Sequence, residues 1–207
     1  MTLAQRLWTN NADLAQACLE NAFVRGLADG SLPEACFKAY VAQDAYFLEA
    51  FARAYALALA RSPDAHGLRA FYILIGGVLD ELELHATYAR RLTIDLAHTE
   101  PAPATLAYTD FLLATATLQG VAETCAAMTP CMRLYAYLGQ TLAKTATSAT
   151  YQEWIQTYAS PDFESLASTL ESLLNRYAEP SQQVDSAYRR AMQLELAFFA
   201  AHAAPPR

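Results

Sequence analysis

Apolar and aromatic side chains recur every three or four positions along almost the whole chain. This period is typical of amphipathic α-helices, whereas a half-buried strand alternates apolar and polar residues, and the sequence has no such run. Proline, glycine and short polar segments interrupt the period. The pattern therefore predicts an all-α fold with helices at about residues 3–25, 32–61, 65–96, 104–117, 121–144, 150–158, 163–177 and 182–203.

Several predicted helix ends carry local signals. Ser31, Pro33 and Glu34 match a capping box, with Ser31 as the cap, proline in the first turn and a glutamate three residues after the serine. Asp162 is the expected cap of the helix at 163–177. Pro130 is expected to begin or bend a helix, because proline lacks the amide that interior helix positions use.

Length and composition favour one helical bundle. The chain has 207 residues, 54% of them hydrophobic and only seven of them glycine, which suits a single domain over residues 1–207 with a large core. Twelve tyrosines and nine phenylalanines can pack that core or line a pocket. The tail at 203–207 contains two prolines and is expected to fray.

Charge and cysteine usage argue against several classes of partner. The net charge is −7 with no long cluster of Lys or Arg, so neither nucleic acid nor an anionic membrane is the expected partner. The first ten residues lack a signal-peptide pattern, and the longest apolar run, residues 71–79, is too short to cross a bilayer. The four cysteines contain no C-x-x-C pair and are expected as reduced thiols in the cytoplasm. These features suit a protein that handles a small molecule.

Cys131 is the candidate nucleophile. It follows Pro130, so it is expected at a helix start, where free backbone amides favour a thiolate. Tyr135 lies one helical turn later on the same face. The alternative is a small core residue, which is the more common role of a free cysteine.

Two carboxylates lie in apolar helical stretches. Asp44 is flanked by aromatic and aliphatic residues, where it either holds an amino group or a protonated ring nitrogen of a ligand, or lies at the solvent edge. Glu195 lies among Leu194, Leu196 and Phe198. It either has a raised pKa and acts as a general acid or base, or keeps its helix soluble.

Glu81 and His85 form the most metal-like pair, because residues at i and i+4 share a helical face. A di-iron bundle needs further inward carboxylates and histidines, and the other histidines fall in predicted loops or the tail. A hydrogen-bonded or helix-stabilising pair is the favoured interpretation. No metal and no cofactor are predicted.

In this order and spacing, the candidate residues make the chain resemble the TenA/thiaminase II family, in its cysteine-bearing branch. The resemblance covers nearly the whole chain and is carried by Gln43-Asp44-x-x-Phe47, Glu81-x-Glu83-x-His85, Tyr108, Pro130-Cys131 with Tyr135, Tyr151-x-x-Trp154 with Tyr158, and Glu195-x-x-Phe198. It implies a haem-oxygenase-like helical fold and a homo-oligomer, a tetramer or a dimer. It also implies hydrolysis of aminopyrimidine breakdown products of thiamin, or of thiamin, to hydroxymethylpyrimidine.

The resemblance also implies a role for each matching residue. Cys131 is then the nucleophile that attacks the pyrimidine ring, and Glu195 the acid/base that serves the leaving amine and the incoming water. Asp44 anchors the ring nitrogen and its 4-amino group. The aromatic box that surrounds the ring consists of Tyr108, Tyr135, Tyr158 and Phe198. Through their hydroxyls, Tyr135 and Tyr158 are further expected to bond Cys131 or Glu195.

Phe47 departs from the family pattern, which commonly has tyrosine there. The missing hydroxyl removes one hydrogen bond near Glu195 and puts the preferred substrate in question. Two other hypotheses for the function remain open beside the thiamin-salvage hydrolase. One is a pyrimidine-binding protein without catalysis, and the other is a di-iron oxidase that uses Glu81 and His85.

Overall fold

The computed structural model describes residues 1–204, and all regular structure in that range is helical. The helices are α1 (Leu3–Asn10), α2 (Ala12–Leu19), α3 (Ala22–Asp29), α4 (Glu34–Ala60), α5 (Ala65–Leu92), α6 (Pro103–Leu118), α7 (Val121–Thr145), α8 (Gln152–Ala159), α9 (Pro161–Tyr177) and α10 (Gln182–Ala201). The all-α prediction is confirmed. Of the tail expected to fray, residues 205–207 lie outside the described residues.

Helix α7 lies at the centre of the bundle. It packs against α4, α6, α8, α9 and α10, and α4 packs in turn against α5 and α6. Buried apolar side chains from all of these helices join one cluster. Residues on the inward faces of α4, α7 and α10 therefore meet in the interior, although they are far apart in sequence.

The segment predicted as one helix at 3–25 is instead three short helices. The break between α1 and α2 falls at Asn11, whose side-chain amide donates to the Leu7 carbonyl oxygen at 2.8 Å. The next break falls before Asn21, whose side chain accepts from the Phe23 amide at 2.9 Å. The Asn11 side chain thus bonds a carbonyl at the end of α1, and Asn21 is the N-cap that begins α3.

Two predicted caps are wrong. Helix α4 is preceded by Pro33 as its N-cap, and Ser31 instead donates its amide to Asp29 Oδ1 in the turn after α3. That turn needs Gly30, which has a φ of 79°. Helix α9 is capped by Ser160, whose hydroxyl accepts from the Phe163 amide, so Asp162 lies inside the first turn.

Helix α5 ends at Leu92, four residues before the predicted end. Thr93 takes the left-handed conformation with φ 57°, and its amide closes the helix on the Ala89 carbonyl. Helix α6 begins at Pro103, one residue before the predicted start, because proline suits the first helical position.

Pro130 lies inside α7, and the helix continues on both sides of it. Cys131 is therefore near the middle of a long helix, and the expected position at a helix start is wrong. The proline removes one amide but does not end the helix, because α7 is buried on several sides by its neighbours.

An ion-pair cluster fixes the rotation of α7 against α9. Arg133 makes a bidentate pair with Glu171, at 2.8 Å for both bonds, and its Nη1 lies 2.9 Å from Glu164 Oε2. All three side chains are at least partly buried. Because Arg133 is two residues after Cys131, this pairing also sets the direction in which the thiol points.

Gly139 allows α8 to approach α7 closely. A Cβ atom at this position would lie 2.6 Å from the Ala159 amide nitrogen and would also meet the Tyr158 main chain. The glycine thus sets the depth at which Tyr158 enters the interior. Gly76 in α5, by contrast, has no atom within 4 Å of such a Cβ.

We expect Gly139→Ala to lower the free energy of unfolding by about 1–3 kcal/mol, because backbone would have to move to relieve the overlap. Gly76→Ala is the matched control, and we expect it to raise that free energy by up to about 1 kcal/mol through helix propensity. Urea unfolding followed by circular dichroism measures both. Equal effects of the two substitutions would contradict the role given to Gly139.

Candidate active site

Three buried helices bring the candidate nucleophile and two candidate carboxylates together. Asp44 comes from α4, Cys131 from α7 and Glu195 from α10, and the charges of both carboxylates act on the Cys131 thiol. Asp44 is 3% exposed and Glu195 is 1% exposed. An isolated buried carboxylate is costly, so the partners of each define the site.

Glu195 is held by a tyrosine and faces the thiol. The Tyr108 hydroxyl donates to Glu195 Oε1 at 2.7 Å. The Cys131 thiol lies close enough for a hydrogen bond with the same carboxyl group. Burial raises the pKa of Glu195 to about 8, although the hydrogen bonds from Tyr108 and Cys131 act in the opposite direction. A carboxyl group with such a pKa can both accept and donate a proton near neutral pH.

Cys131 is the least enclosed of the four cysteines by solvent exposure. It is 8% exposed, whereas the side chains of Cys18, Cys36 and Cys125 are fully buried. Burial, followed by the charge of Glu195, raises the pKa of Cys131 well above its ordinary value. The resting side chain is therefore a thiol, and Glu195 is the neighbour that can take its proton. The free helix amides that were expected to favour a thiolate are not available to Cys131, because the residue lies inside α7.

Asp44 is bound on one oxygen by two partners. Its Oδ2 lies 3.0 Å from the Tyr40 hydroxyl and 2.8 Å from His85 Nε2. The Tyr40 hydroxyl also lies 3.2 Å from both the Tyr135 hydroxyl and Trp154 Nε1. Tyr40 has one proton and the carboxylate is the strongest acceptor, so it donates to Asp44 and accepts from the other two.

Glu81 reaches the same region from α5. Its Oε1 accepts from the Tyr158 hydroxyl at 2.5 Å. Burial, reinforced by the charge of Asp44, raises the pKa of Glu81 to about 7. The expectation that Tyr135 and Tyr158 bond Cys131 or Glu195 is wrong: their hydroxyls bond Tyr40 and Glu81, and Tyr108 is the tyrosine that bonds Glu195.

The predicted aromatic residues form two groups around these carboxylates. Phe47 contacts Tyr108 and Phe198, with ring centroids 4.8 and 6.1 Å apart. Tyr135 and Tyr158 pack edge to face at 4.7 Å. The Tyr40 ring contacts Phe198 of the first group and Trp154, whose ring packs on both tyrosines of the second. Every predicted site residue therefore lies in one buried region.

The structure gives roles to residues to which the sequence analysis assigned none. Tyr40 and Trp154 extend the hydrogen-bond chain that begins at Asp44. Gln43 positions α6, because its Oε1 accepts from the Ala102 amide and the Thr105 hydroxyl. A polar residue in an otherwise apolar helix was the available signal for Gln43.

Glu81 and His85 do not pair through their side chains. His85 Nδ1 lies 2.9 Å from the Glu81 main-chain oxygen, and Nε2 faces Asp44. Within residues 1–204, no three His, Cys, Asp or Glu side chains are grouped as a metal site would require.

Two surface pockets flank the buried region. One, of about 410 Å³, is lined in part by Tyr88, Arg91 and Trp154. The other, of about 270 Å³, is lined in part by Glu81 and Phe163. Trp154 and Glu81 each belong both to a pocket wall and to the hydrogen-bond network, so both pockets border the network. None of the helices within residues 1–204 has the length and apolar character needed to span a membrane.

The raised pKa of Glu195 predicts a pH dependence of stability. The folded protein keeps a proton on this residue up to about pH 8, whereas the unfolded chain loses it near 4.5. The free energy of unfolding should therefore fall as the pH rises between these values. Glu81 and His85, with raised pKa values, act in the same direction.

Glu195→Gln removes one of these titrations, so the variant should lose less stability than the wild type from pH 5 to 8, roughly the window between the two pKa values. Urea unfolding at a series of pH values measures the difference. A slope in the variant equal to that of the wild type would show that Glu195 titrates normally in the folded protein.

Several known proteins are similar to this chain over most of its length. Residues 8–203 match the model of the TENA/THI-4/PQQC family. The chain is 33% identical, over 98% of its length, to the mitochondrial bifunctional TH2 protein of Arabidopsis thaliana, of which it spans 37%. It is also 33% identical to the aminopyrimidine aminohydrolase of Halalkalibacterium halodurans, over 86% of this chain and 83% of that protein.

Solved structures show the same fold. A TenA family transcription regulator from a Silicibacter species superimposes with a TM-score of 0.92 at 27% identity, over 97% of this chain and 96% of the other. A Shewanella denitrificans domain with a haem-oxygenase-like fold matches with a TM-score of 0.72, which confirms the predicted fold type. The helical architecture, the buried site and the match over nearly the full length lead to one conclusion: the chain belongs to the TENA/THI-4/PQQC family.

Proposed function

We propose that the chain is a hydrolase of thiamin salvage that converts an aminopyrimidine breakdown product of thiamin, or thiamin, into hydroxymethylpyrimidine. The relative named aminopyrimidine aminohydrolase supports this reaction class. The observation that carries the proposal is the contact between Cys131 and Glu195 inside a buried aromatic region that also contains Asp44.

The substrate fits the site by chemistry. A 4-aminopyrimidine is flat, so its faces pack against Tyr108, Tyr135, Tyr158 and Phe198, and its polar edge faces Asp44. A carboxylate accepts hydrogen bonds from the exocyclic amino group. The methylene substituent then lies on the side of Glu195. The adjacent ring nitrogen, which the resemblance also pairs with Asp44, can bond this carboxylate when the nitrogen is protonated.

The proposed reaction uses Glu195 as a proton carrier. Glu195 takes the thiol proton as the Cys131 sulfur adds to a ring carbon. It then gives this proton to the amine as the bond between the exocyclic carbon and nitrogen breaks. Water adds to the exocyclic carbon while Glu195 takes a water proton, and that proton returns to sulfur as it leaves the ring. One water is consumed, one amine is released, and nothing is oxidised or reduced.

Because residue 47 is phenylalanine and not tyrosine, it gives Glu195 no hydroxyl donor, and Tyr108 is the tyrosine that bonds Glu195. The Phe47 ring packs on Tyr108 and on Phe51, at 4.8 and 5.4 Å between centroids. With fewer donors, Glu195 keeps a higher pKa, which favours its protonated form as the acid for the leaving amine.

We also propose that the protein works in the cytoplasm as a homo-oligomer. Helix α5 exposes four large apolar side chains at helical spacing: Leu68, Tyr72, Ile73 and Leu79. Such a stripe on one helix is unusual for a surface that faces only water. A second copy of the chain would cover it.

Cys131→Ala should abolish product formation, with a loss of at least about a hundredfold, while pyrimidine binding is largely kept. Cys125→Ala is the matched control, because it removes a buried thiol of the same helix that has no carboxylate partner. The assay follows hydroxymethylpyrimidine released from aminomethylpyrimidine and from thiamin by chromatography. Calorimetry with hydroxymethylpyrimidine measures binding.

Two outcomes would contradict the proposal in different ways. Tight binding without product from either substrate in the wild type would favour the pyrimidine-binding protein without catalysis. Full turnover in Cys131→Ala would exclude this sulfur as the nucleophile.

Tyr72→Glu should reduce the oligomer to a smaller species, because the charge would be buried in the proposed interface. Tyr72 is 74% exposed, and Leu118 on α6, at 78% exposed, gives the control Leu118→Glu. Sedimentation velocity measures the mass of each. A wild type that sediments as a monomer would refute the oligomer.

A further inference from the structure

Both ring nitrogens of His85 face oxygen acceptors. Nδ1 lies 2.9 Å from the main-chain oxygen of Glu81, and Nε2 lies 2.8 Å from Asp44 Oδ2. A neutral imidazole has one N–H, so beside an ionised Asp44 one of these contacts would set two lone pairs against each other. With Asp44 ionised, both contacts are satisfied when both ring nitrogens carry protons, which makes His85 an imidazolium cation.

The buried surroundings agree with a charged ring. His85 is 2% exposed and packs edge to face against Tyr88. Burial alone lowers the pKa of His85, but the hydrogen bond and charge of Asp44, with the charge of Glu81, outweigh it and raise the pKa to about 9. The charged groups that act on His85 are thus Asp44 on α4 and Glu81 on its own helix.

This pairing leaves the two oxygens of Asp44 in different states. Oδ2 receives hydrogen bonds from His85 and Tyr40, which use both of its lone pairs. Within residues 1–204, no hydrogen bond reaches Oδ1. Oδ1 is therefore the oxygen that a ligand can use.

We propose that His85 is a positioning residue that fixes the Asp44 carboxylate so that Oδ1 accepts from the 4-amino group of the substrate. This inference rests on the proposed function and adds a reason for the substrate specificity of the site. A carboxylate tied to an imidazolium can accept a hydrogen bond but has no proton to donate. The site therefore selects 4-amino pyrimidines and rejects 4-oxo pyrimidines, whose oxygen would face the carboxylate.

The test compares His85→Leu, His85→Gln and the control Tyr88→Phe. Leucine removes both the charge and the donor, whereas glutamine keeps an N–H within reach of Asp44. Tyr88→Phe removes a buried hydroxyl that has no partner in the described residues and that lies beside the His85 ring. Melting temperatures show whether each variant is folded.

We expect His85→Leu to raise KM for aminomethylpyrimidine and the Kd for hydroxymethylpyrimidine about tenfold or more, with a smaller change in kcat. Preference over the 4-oxo analogue should fall in parallel. His85→Gln should recover part of the affinity, and Tyr88→Phe should match the wild type. A general loss of structure would lower kcat and the melting temperature in both His85 variants alike. It would not produce a large rise in KM with a small change in kcat, nor a difference between leucine and glutamine.

An independent measurement does not need turnover. In ¹⁵N-histidine-labelled wild type, the ring signals of His85, assigned by their absence in His85→Gln, should show two protonated nitrogens at pH 7. A neutral ring, or an unchanged KM and Kd in His85→Leu, would overturn the positioning role and leave the proposed function intact. A wild type that neither binds nor converts the pyrimidine would instead refute the proposed function, and the ring signals would still decide the charge of His85.

Discussion

The burial of carboxylates in one aromatic interior is the constraint on which the rest of the structure depends. Asp44 and Glu195 are enclosed by a core made of tyrosine, phenylalanine and tryptophan side chains, and Glu81 is half-buried at its edge. Removing such groups from water is unfavourable unless each has a partner. Each has one: His85 and Tyr40 for Asp44, and a tyrosine hydroxyl for each of the other two. The aromatic residues therefore serve both as packing and as hydrogen-bond donors.

Burial and the partners of each carboxylate also determine which of them can exchange protons near neutral pH. The three carboxylates differ in their hydrogen-bond partners, because a histidine ring lies against Asp44 whereas tyrosine hydroxyls bond Glu81 and Glu195. Asp44 faces the His85 ring, whereas Glu195 has only neutral donors, and burial raises its pKa to about 8. In the proposed reaction, Asp44 anchors the ring and Glu195, whose pKa is raised to about 8, exchanges protons near neutrality. Cys131, with a raised pKa, has Glu195 as the neighbour that would take its proton.

The sequence was sufficient for the parts of the structure that depend on local periodicity. Helices α4 to α10 appear near their predicted places because long apolar stripes recur there, and the family resemblance identified residues that meet in one region. Predictions that depended on a single local signal failed more often. Ser31 and Asp162 had the composition of caps, but neighbouring residues took those roles. Pro130 suggested a helix start, and tertiary packing carried the helix through it.

Pairings across the bundle could not be derived from one sequence. Glu81 and His85 were singled out by their spacing on one helix, yet their partners Tyr158 and Asp44 are 77 and 41 residues away. The choice of Tyr108 as the donor to Glu195 depends on how deeply α6 is inserted, which Gln43 fixes from α4. A periodic pattern along one helix carries no information about contacts between residues so far apart in the sequence.

The central claim is that the buried region among Cys131, Asp44 and Glu195 is where a pyrimidine binds. A crystal structure of the protein with hydroxymethylpyrimidine tests this most directly. The ring should lie against Cys131 Sγ, with its amino group on Asp44 Oδ1 and its hydroxymethyl group toward Glu195. A ring bound instead in the surface pocket beside Tyr88 and Trp154, away from the sulfur, would contradict the account.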